Sequence, residues 1–342
     1  MMARLGRMLA VALALVVVAS GAWAQSPAVK APEHPFRIYM ALWRGWEEAC
    51  QGFKDYFANR GIPVDLIVRD AAQDPSRLPG FVAEAKSLHV DMVFTWGTTV
   101  SQAMLGTGRH PDPDKYITKI PAVFAIVSQP APKLVPDFTS SGRNITGTTY
   151  LVPMETQLNL IESYRRFKVL GMVYNPLEPN SRGAVDEIRR LQSGMDFTLV
   201  ALPADVVDGK PSPASIPAKV AALKAAHADF LYIPPDTFLN VNRDILTSAA
   251  LEQKLPSFAA AENPVVDAKA MFGGVYRYYT VGQLTAQKAA EILLQGRKPA
   301  DIPIDSPKRL SILINMPVVR ALGVYPPMKL LGLAEVIDPA AK

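Results

Sequence analysis

Cysteine is nearly absent. Cys50 is the only one in 342 residues, so no internal disulfide can form. Histidine is scarce too, with four copies. His34 and His110 fall in Pro-containing stretches, and His89 and His227 stand just ahead of apolar runs. No Cys/His set has zinc spacing. No glycine-rich phosphate loop of the P-loop or dinucleotide type occurs, and no G-x-S-x-G elbow appears. Nothing in the chain therefore points to a metal, a cofactor or a catalytic residue, although missing motifs alone do not exclude an enzyme. Basic residues exceed acidic ones by a formal +5, but they are spread along the chain. Nucleic-acid binding wants a basic patch interleaved with aromatics, and that partner is excluded. Beyond the first 24 residues no apolar run is long enough to span a bilayer.

What is present begins with those 24 residues. Arg4 and Arg7 precede an apolar run from Met8 to Ala19, and Ala22-Trp23-Ala24 forms a small-x-small site before Gln25. This is the three-part layout of a secretory signal peptide. The competing reading is a membrane anchor, for which the run is short. Residues 25–35 read as a flexible lead-in. The rest is long enough for two domains of ordinary size, and 49% of residues are apolar, so sizeable cores can form.

Strand-like runs alternate with amphipathic helix-like runs. Strands are expected at Phe36–Leu42, Val64–Arg69, Asp91–Trp96, Ala122–Val127, Ile145–Tyr150, Val169–Tyr174, Phe197–Leu202, Phe230–Ile233, Ser257–Ala261, Met271–Tyr276 and Leu310–Asn315. Trp46, Cys50, Phe53 and Phe57 make a stripe at helical spacing, which Gly61 ends. Such alternation predicts an α/β fold with mainly parallel sheets. A weak internal repeat refines this. His89–Thr99 resembles His227–Thr237, and Lys119–Ala125 resembles Lys254–Ala260. Two copies in the same order suggest two Rossmann-like lobes, with a ligand cleft beyond the carboxyl ends of their strands.

The strand ends carry the candidate ligand contacts. Trp43 is a pocket candidate, while Trp46 is assigned to the core through its stripe. Thr98, Thr99, Asn180 and Ser181 suit helix N-termini, where they either hold a small anion or simply cap. Ser128, Gln129, Tyr150 and Asn175 close other strands. Asp236 and Glu262 divide between capping and pairing with a ligand ammonium. Arg277, flanked by Tyr276 and Tyr278, could take a ligand carboxylate in a bidentate bond. Its structural alternative is an inter-lobe salt bridge, with Glu262 or Asp236 as partner.

Across Arg37 to Ile337 the chain resembles the ABC transporter substrate-binding protein family that includes tryptophan- and tyrosine-type binding proteins. The resemblance rests on Phe124–Pro130, Asn144–Thr148, Glu155–Leu160, Gly171–Pro176, Tyr232–Asp236, Lys254–Phe258, Tyr278–Gly282, Lys298–Pro303, Asn315–Gly323 and Ala334–Ile337. It implies a monomeric periplasmic clamp, with lobe 1 at 36–149 and 280–309 and lobe 2 at 150–279 and 310–338. The clamp would close on a small amino-acid-like or carboxylate-bearing ligand and deliver it to a membrane permease. Hinges are expected near Tyr150–Pro153 and Tyr278–Val281. Thr98, Thr99, Ser128, Asn180, Ser181 and Asp236 stand where the family's pattern places ligand contacts. Two departures are visible. Gln129 replaces a common aspartate, and so does Arg277. The second departure predicts a ligand with an extra carboxylate, or an organic acid without an amine. A sensory ligand-binding module would use the same fold. An exported α/β hydrolase would need a histidine at a strand end, and none falls there.

Overall fold

Short runs rich in β-branched residues form the centres of two sheets in the computed structural model, which describes residues 34–128, 134–136 and 138–338. The strands of the first sheet and the helices between them are β1 (Phe36–Leu42), α1 (Glu48–Ala58), β2 (Val64–Asp70), α2 (Leu78–Ser87), β3 (Met92–Trp96), α3 (Thr98–Leu105), β4 (Ala122–Val127) and β5 (Ile145–Thr149). The chain then continues through α4 (Met154–Tyr164), β6 (Val169–Tyr174), α5 (Pro179–Gln192), β7 (Thr198–Pro203), β8 (Val206–Val207), β9 (Lys210–Pro211) and α6 (Ile216–Ala225). Next come β10 (Phe230–Ile233), α7 (Thr237–Val241), α8 (Arg243–Glu252), β11 (Ser257–Ala259), α9 (Asn263–Val266) and β12 (Phe272–Val275). The last stretch holds α10 (Tyr278–Gln295), β13 (Ser311–Asn315), α11 (Met316–Leu322), α12 (Met328–Leu331) and β14 (Ala334–Ile337).

Sheet one has strand order β2-β1-β3-β4-β5, and sheet two β14-β13-β12-β11-β10-β6-β7. Within these two sheets all pairs are parallel except β12–β13. Central strands such as β4 and β10 are buried along their whole length. Helices cover both faces of a parallel sheet, so its strands alternate little between apolar and polar. Each sheet accordingly has one core cluster on each face.

The eleven expected strands are present within a residue or two. The unexpected ones are β14, which extends sheet two as an edge, and the β8–β9 hairpin inside the polar 205–217 loop. Both are too short or too polar to show a run. Trp46 departs from its assignment: it precedes α1, is 42% exposed, and donates from Nε1 to Gln51 Oε1. The buried stripe begins at Cys50.

The internal repeat has a physical basis. His89 and His227 each sit at positive φ, 48° and 59°, in the turn after a helix. Two residues on, Asp91 Oδ2 accepts the Arg37 backbone N–H at 2.7 Å. Asp229 Oδ2 accepts those of Lys168 and Val169 at 2.7 and 3.0 Å. In both lobes the aspartate pins the first residues of the neighbouring strand, β1 in one and β6 in the other.

α10 decides how the lobes join. It leaves β12 of sheet two and packs on α1, which covers sheet one. The contact is backbone to backbone. A Cβ on Gly282 would lie 2.0 Å from the Ala49 carbonyl oxygen, and one on Gly52 would lie 2.1 Å from that of Tyr279. Only glycine permits this approach. The chain after α10 stays with sheet one for a stretch: Lys288 Nζ bonds Pro303 O and Asp305, and Thr149 N bonds Asp305 O. It then returns as β13. Overpacking a close contact costs roughly 1–3 kcal/mol or more. Gly282→Ala should therefore lower the thermal midpoint by several degrees, while Gly296→Ala, with nothing near its Cβ, should act only through its left-handed φ. Calorimetry on both variants checks this.

Candidate functional site

The carboxyl ends of both sheets face one cleft. Trp43, Arg44, Trp96, Gly97, Thr98, Thr99 and Ile126 line it from the side of sheet one. Glu178, Asn180, Pro235, Asp236, Thr237, Asn240 and Ala261 line it from the side of sheet two, and Tyr150 and Tyr278 stand at the crossings. The enclosed space is about 30 Å³, against roughly 300 Å³ or more for ordinary small-ligand pockets. An amino-acid-sized ligand therefore enters only when the lobes part.

Local backbone features set the sheet-one wall. β3 turns into α3 through Gly97 at φ 90°, a conformation that favours glycine. No side chain caps α3, so its first N–H groups remain for a ligand. Thr98 Oγ1 accepts the Ser128 N–H at 3.0 Å and ties β4 to this helix start. Ile126 holds φ at 57°, where the β4–β5 register slips. A β-branched residue there is strained, and the bulge sits in the cleft wall. Arg44 is nearly buried. It pairs with Glu47 at 2.7 Å and lies over the Trp96 ring at 4.8 Å.

The sheet-two wall is acidic. Asp236 is 3% exposed and caps α7 by accepting Leu239 N–H at 2.9 Å. Its other oxygen accepts the Asn175 N–H at 2.8 Å and the Ser181 hydroxyl. Glu178 accepts Thr237 N–H and Oγ1–H, each at 2.9 Å. Burial, then the neighbouring Asp236 charge, pushes the Glu178 carboxyl up to about 7. Burial raises Asp236 as well, against the donors that hold it. The nearby Arg44 eases Glu178, but that arginine is already paired with Glu47. One buried and one half-buried carboxyl thus face the cleft with too little positive charge beside them.

Two parallel α/β lobes lining one cleft, joined by crossings at Tyr150 and Tyr278, complete the pattern. The chain belongs to the ABC transporter substrate binding protein family. The family matches residues 44–337. A tyrosine-binding protein of Clostridioides difficile is 23% identical over 80% of this chain and 73% of its own length. Among solved structures, a conserved domain protein from Vibrio cholerae superposes with a TM-score of 0.76 at 23% identity, covering 89% of this chain and 99% of that one. An ABC domain in complex with L-Trp from Streptococcus pneumoniae gives 0.73 at 21% identity, covering 88% and 100%. These likenesses establish the two-lobed clamp fold.

Of the residues singled out from sequence, Trp43, Thr98, Thr99, Tyr150, Asn180 and Asp236 line the cavity. Gln129 lies outside the described residues. Ser128, Asn175 and Ser181 do not line it; their bonds to Thr98 and Asp236 place them behind the wall. Arg277 requires correction. It does not line the cavity, because Glu262 and Glu335 hold its guanidinium, each at 3.0 Å. Glu262 also accepts the Tyr278 N–H at 2.7 Å, so it fastens the start of α10 instead of facing a ligand. The expectation of an amine-free acid rested on a free Arg277 charge, and two carboxylates neutralise that charge. The lining residues not singled out include Arg44, Trp96, Glu178, Asn240 and Tyr278. Arg44 and Tyr278 were visible next to named neighbours, and Trp96 closes an expected strand. Asn240 and Glu178 gave no signal.

Asp236→Ala would leave the Ser181 hydroxyl and the Leu239 N–H without their acceptor, and the Asn175 N–H with Ser181 Oγ alone. A lost cap with buried unpaired donors costs about 2–4 kcal/mol. Urea unfolding should show a loss of this size, while Arg277→Met, a half-exposed group, should lose less.

Proposed function

We propose that this chain is the extracytoplasmic solute-binding component of an ABC importer, and that it captures an amino acid, aromatic by preference, for a membrane permease. The periplasm as its compartment, a monomeric state, and binding without catalysis all belong to this reading. The observation that carries it is the charge of the cleft. Glu178 and Asp236 offer one wall that lacks a cation, and the uncapped start of α3 opposite offers N–H groups for an anion. A zwitterion satisfies both. Trp43, Trp96, Tyr150 and Tyr278 supply aromatic surface around it. The names of the Clostridioides and Streptococcus proteins, which bind tyrosine and carry L-Trp, point the same way. Among the described residues no helix is long and apolar enough to cross a membrane.

The mechanism follows from the two walls. A ligand that touches both favours the closed arrangement by its differential affinity. Its ammonium also relieves the repulsion between Glu178 and Asp236, which water does poorly once the cleft is shut. The crossings at 150–153 and 276–277 carry no regular structure of their own, so they can absorb the change in backbone angles; the hinge expected at Tyr278–Val281 lies instead in the first turn of α10.

Two outcomes are expected. First, calorimetry should find L-tyrosine or L-tryptophan bound about ten- to a hundredfold more tightly than its des-amino acid, the range of a charge-assisted hydrogen bond. Equal affinities would overturn the amine requirement. Second, affinity should depend on pH. The ligand ammonium favours ionised Glu178, so binding lowers that carboxyl from about 7 and releases a proton. Affinity should be full above pH 7 and fall as the pH drops toward 5. Glu178→Gln should flatten the profile.

A further inference from the structure

Among the described residues five buried side-chain polar atoms lack a hydrogen-bond partner, on Trp96, Ser128, Thr148, Asn240 and Arg243, and two of these residues, Trp96 and Asn240, line the cleft. Trp96 is 3% exposed and Asn240 is 5% exposed. Both line the cavity, Trp96 from the end of β3 in one lobe and Asn240 from α7 in the other. Trp96 Nε1 and Asn240 Oδ1 are buried, and neither has a hydrogen-bond partner among the described residues. Buried polar atoms are almost always paired, and leaving one unpaired is costly. The charged neighbours are already engaged: Arg44 with Glu47, Glu178 with Thr237, and Asp236 with Leu239, Asn175 and Ser181.

The two atoms are opposite in kind. An indole N–H only donates, and an amide oxygen only accepts. Each matches its own wall. Trp96 lies next to the uncapped start of α3, so its surroundings favour an anion. Asn240 follows Asp236 by four residues, and its backbone N–H bonds the Asp236 carbonyl. The side chains at this spacing share a helix face, and that face is acidic.

We infer that Trp96 and Asn240 are specificity-determining residues that fix the ligand's orientation: Trp96 Nε1–H donates to its α-carboxylate, and Asn240 Oδ1 accepts from its α-ammonium. The inference rests on the amino-acid reading above. One contact comes from each lobe, so both form only on closure. A molecule with only one of the two groups leaves a buried atom unpaired and loses affinity for that reason.

The test pairs protein variants with ligand variants. The probes are L-tryptophan, L-tryptophanamide, which lacks the carboxylate, and indole-3-propionate, which lacks the amine. Trp96→Phe keeps a ring and removes the N–H. It should weaken L-tryptophan about tenfold and leave the affinity for L-tryptophanamide within twofold of the parent protein. Asn240→Leu should weaken L-tryptophan by a similar factor and leave indole-3-propionate within twofold. Asn240→Asp retains an acceptor, should hold L-tryptophan, and serves if the leucine variant does not fold. Equal losses for all probes, or no loss in either variant, would overturn the assignment while the binding role stands. If the parent protein binds none of the three, nor L-tyrosine, both the amino-acid reading and this inference fall.

Discussion

The close contact between α1 and α10 governs the architecture. Gly52 and Gly282 let two helix backbones meet at a distance no Cβ would allow. That contact draws a helix from the far side of the chain onto sheet one. The chain crosses between sheets at Tyr150, leaves sheet two at Arg277–Tyr278 to make this contact, and returns before β13. Multiple crossings at one edge limit the freedom of the lobes to a bending motion. The Glu262–Arg277–Glu335 cluster fastens one of those crossings to sheet two. Tyr150 and Tyr278 meet edge to face, 5.5 Å apart, where two crossings run side by side. A packed sheet on each side of short crossings is the arrangement that hinge closure around a ligand uses.

The cleft is built by the same economy of parts. Strand ends deliver the groups, and helix starts orient them. Asp236 illustrates this. Its carboxylate caps α7, ties down Asn175 after β6 and orders Ser181 in α5. One buried charge therefore aligns several segments of the acidic wall, and its neighbour Glu178 is left with a raised proton affinity. Burial works against both carboxyls and would be unfavourable in a closed cleft without a compensating cation. The proposed preference for an amine and the expected sensitivity to pH are two expressions of that single electrostatic constraint.

Much of this was legible before any tertiary contact was known. The strands announced themselves as short apolar runs, and the paired His-x-Asp segments marked two similar lobes because the same turn and the same strand-pinning aspartate recur. Trp43, Thr98, Thr99, Tyr150, Asn180 and Asp236 could be placed at the cleft because strand ends and helix starts can be read from local pattern. Trp46 was misplaced because helical spacing continued one step beyond the true start of α1. For Arg277 the salt-bridge alternative with Glu262 is the one the structure contains, while its second partner, Glu335, lies on β14, a strand too short and too mixed to be recognised.

The sequence by itself determined the alternation of strands and helices, the twofold lobe plan and the family, since these follow from local hydrophobic period and from short segments in a fixed order. Tertiary structure alone decided which polar groups face the cleft. That outcome depends on long-range pairing. Among the described residues, Arg277 is neutralised by a residue 58 positions away, Asp236 is held by the backbone N–H of one 61 positions away yet meets no cation, while Trp96 Nε1 and Asn240 Oδ1 are left unpaired at opposite walls. Charge on the chain is a local property, but the charge presented to a ligand is what remains after every distant partner has been satisfied.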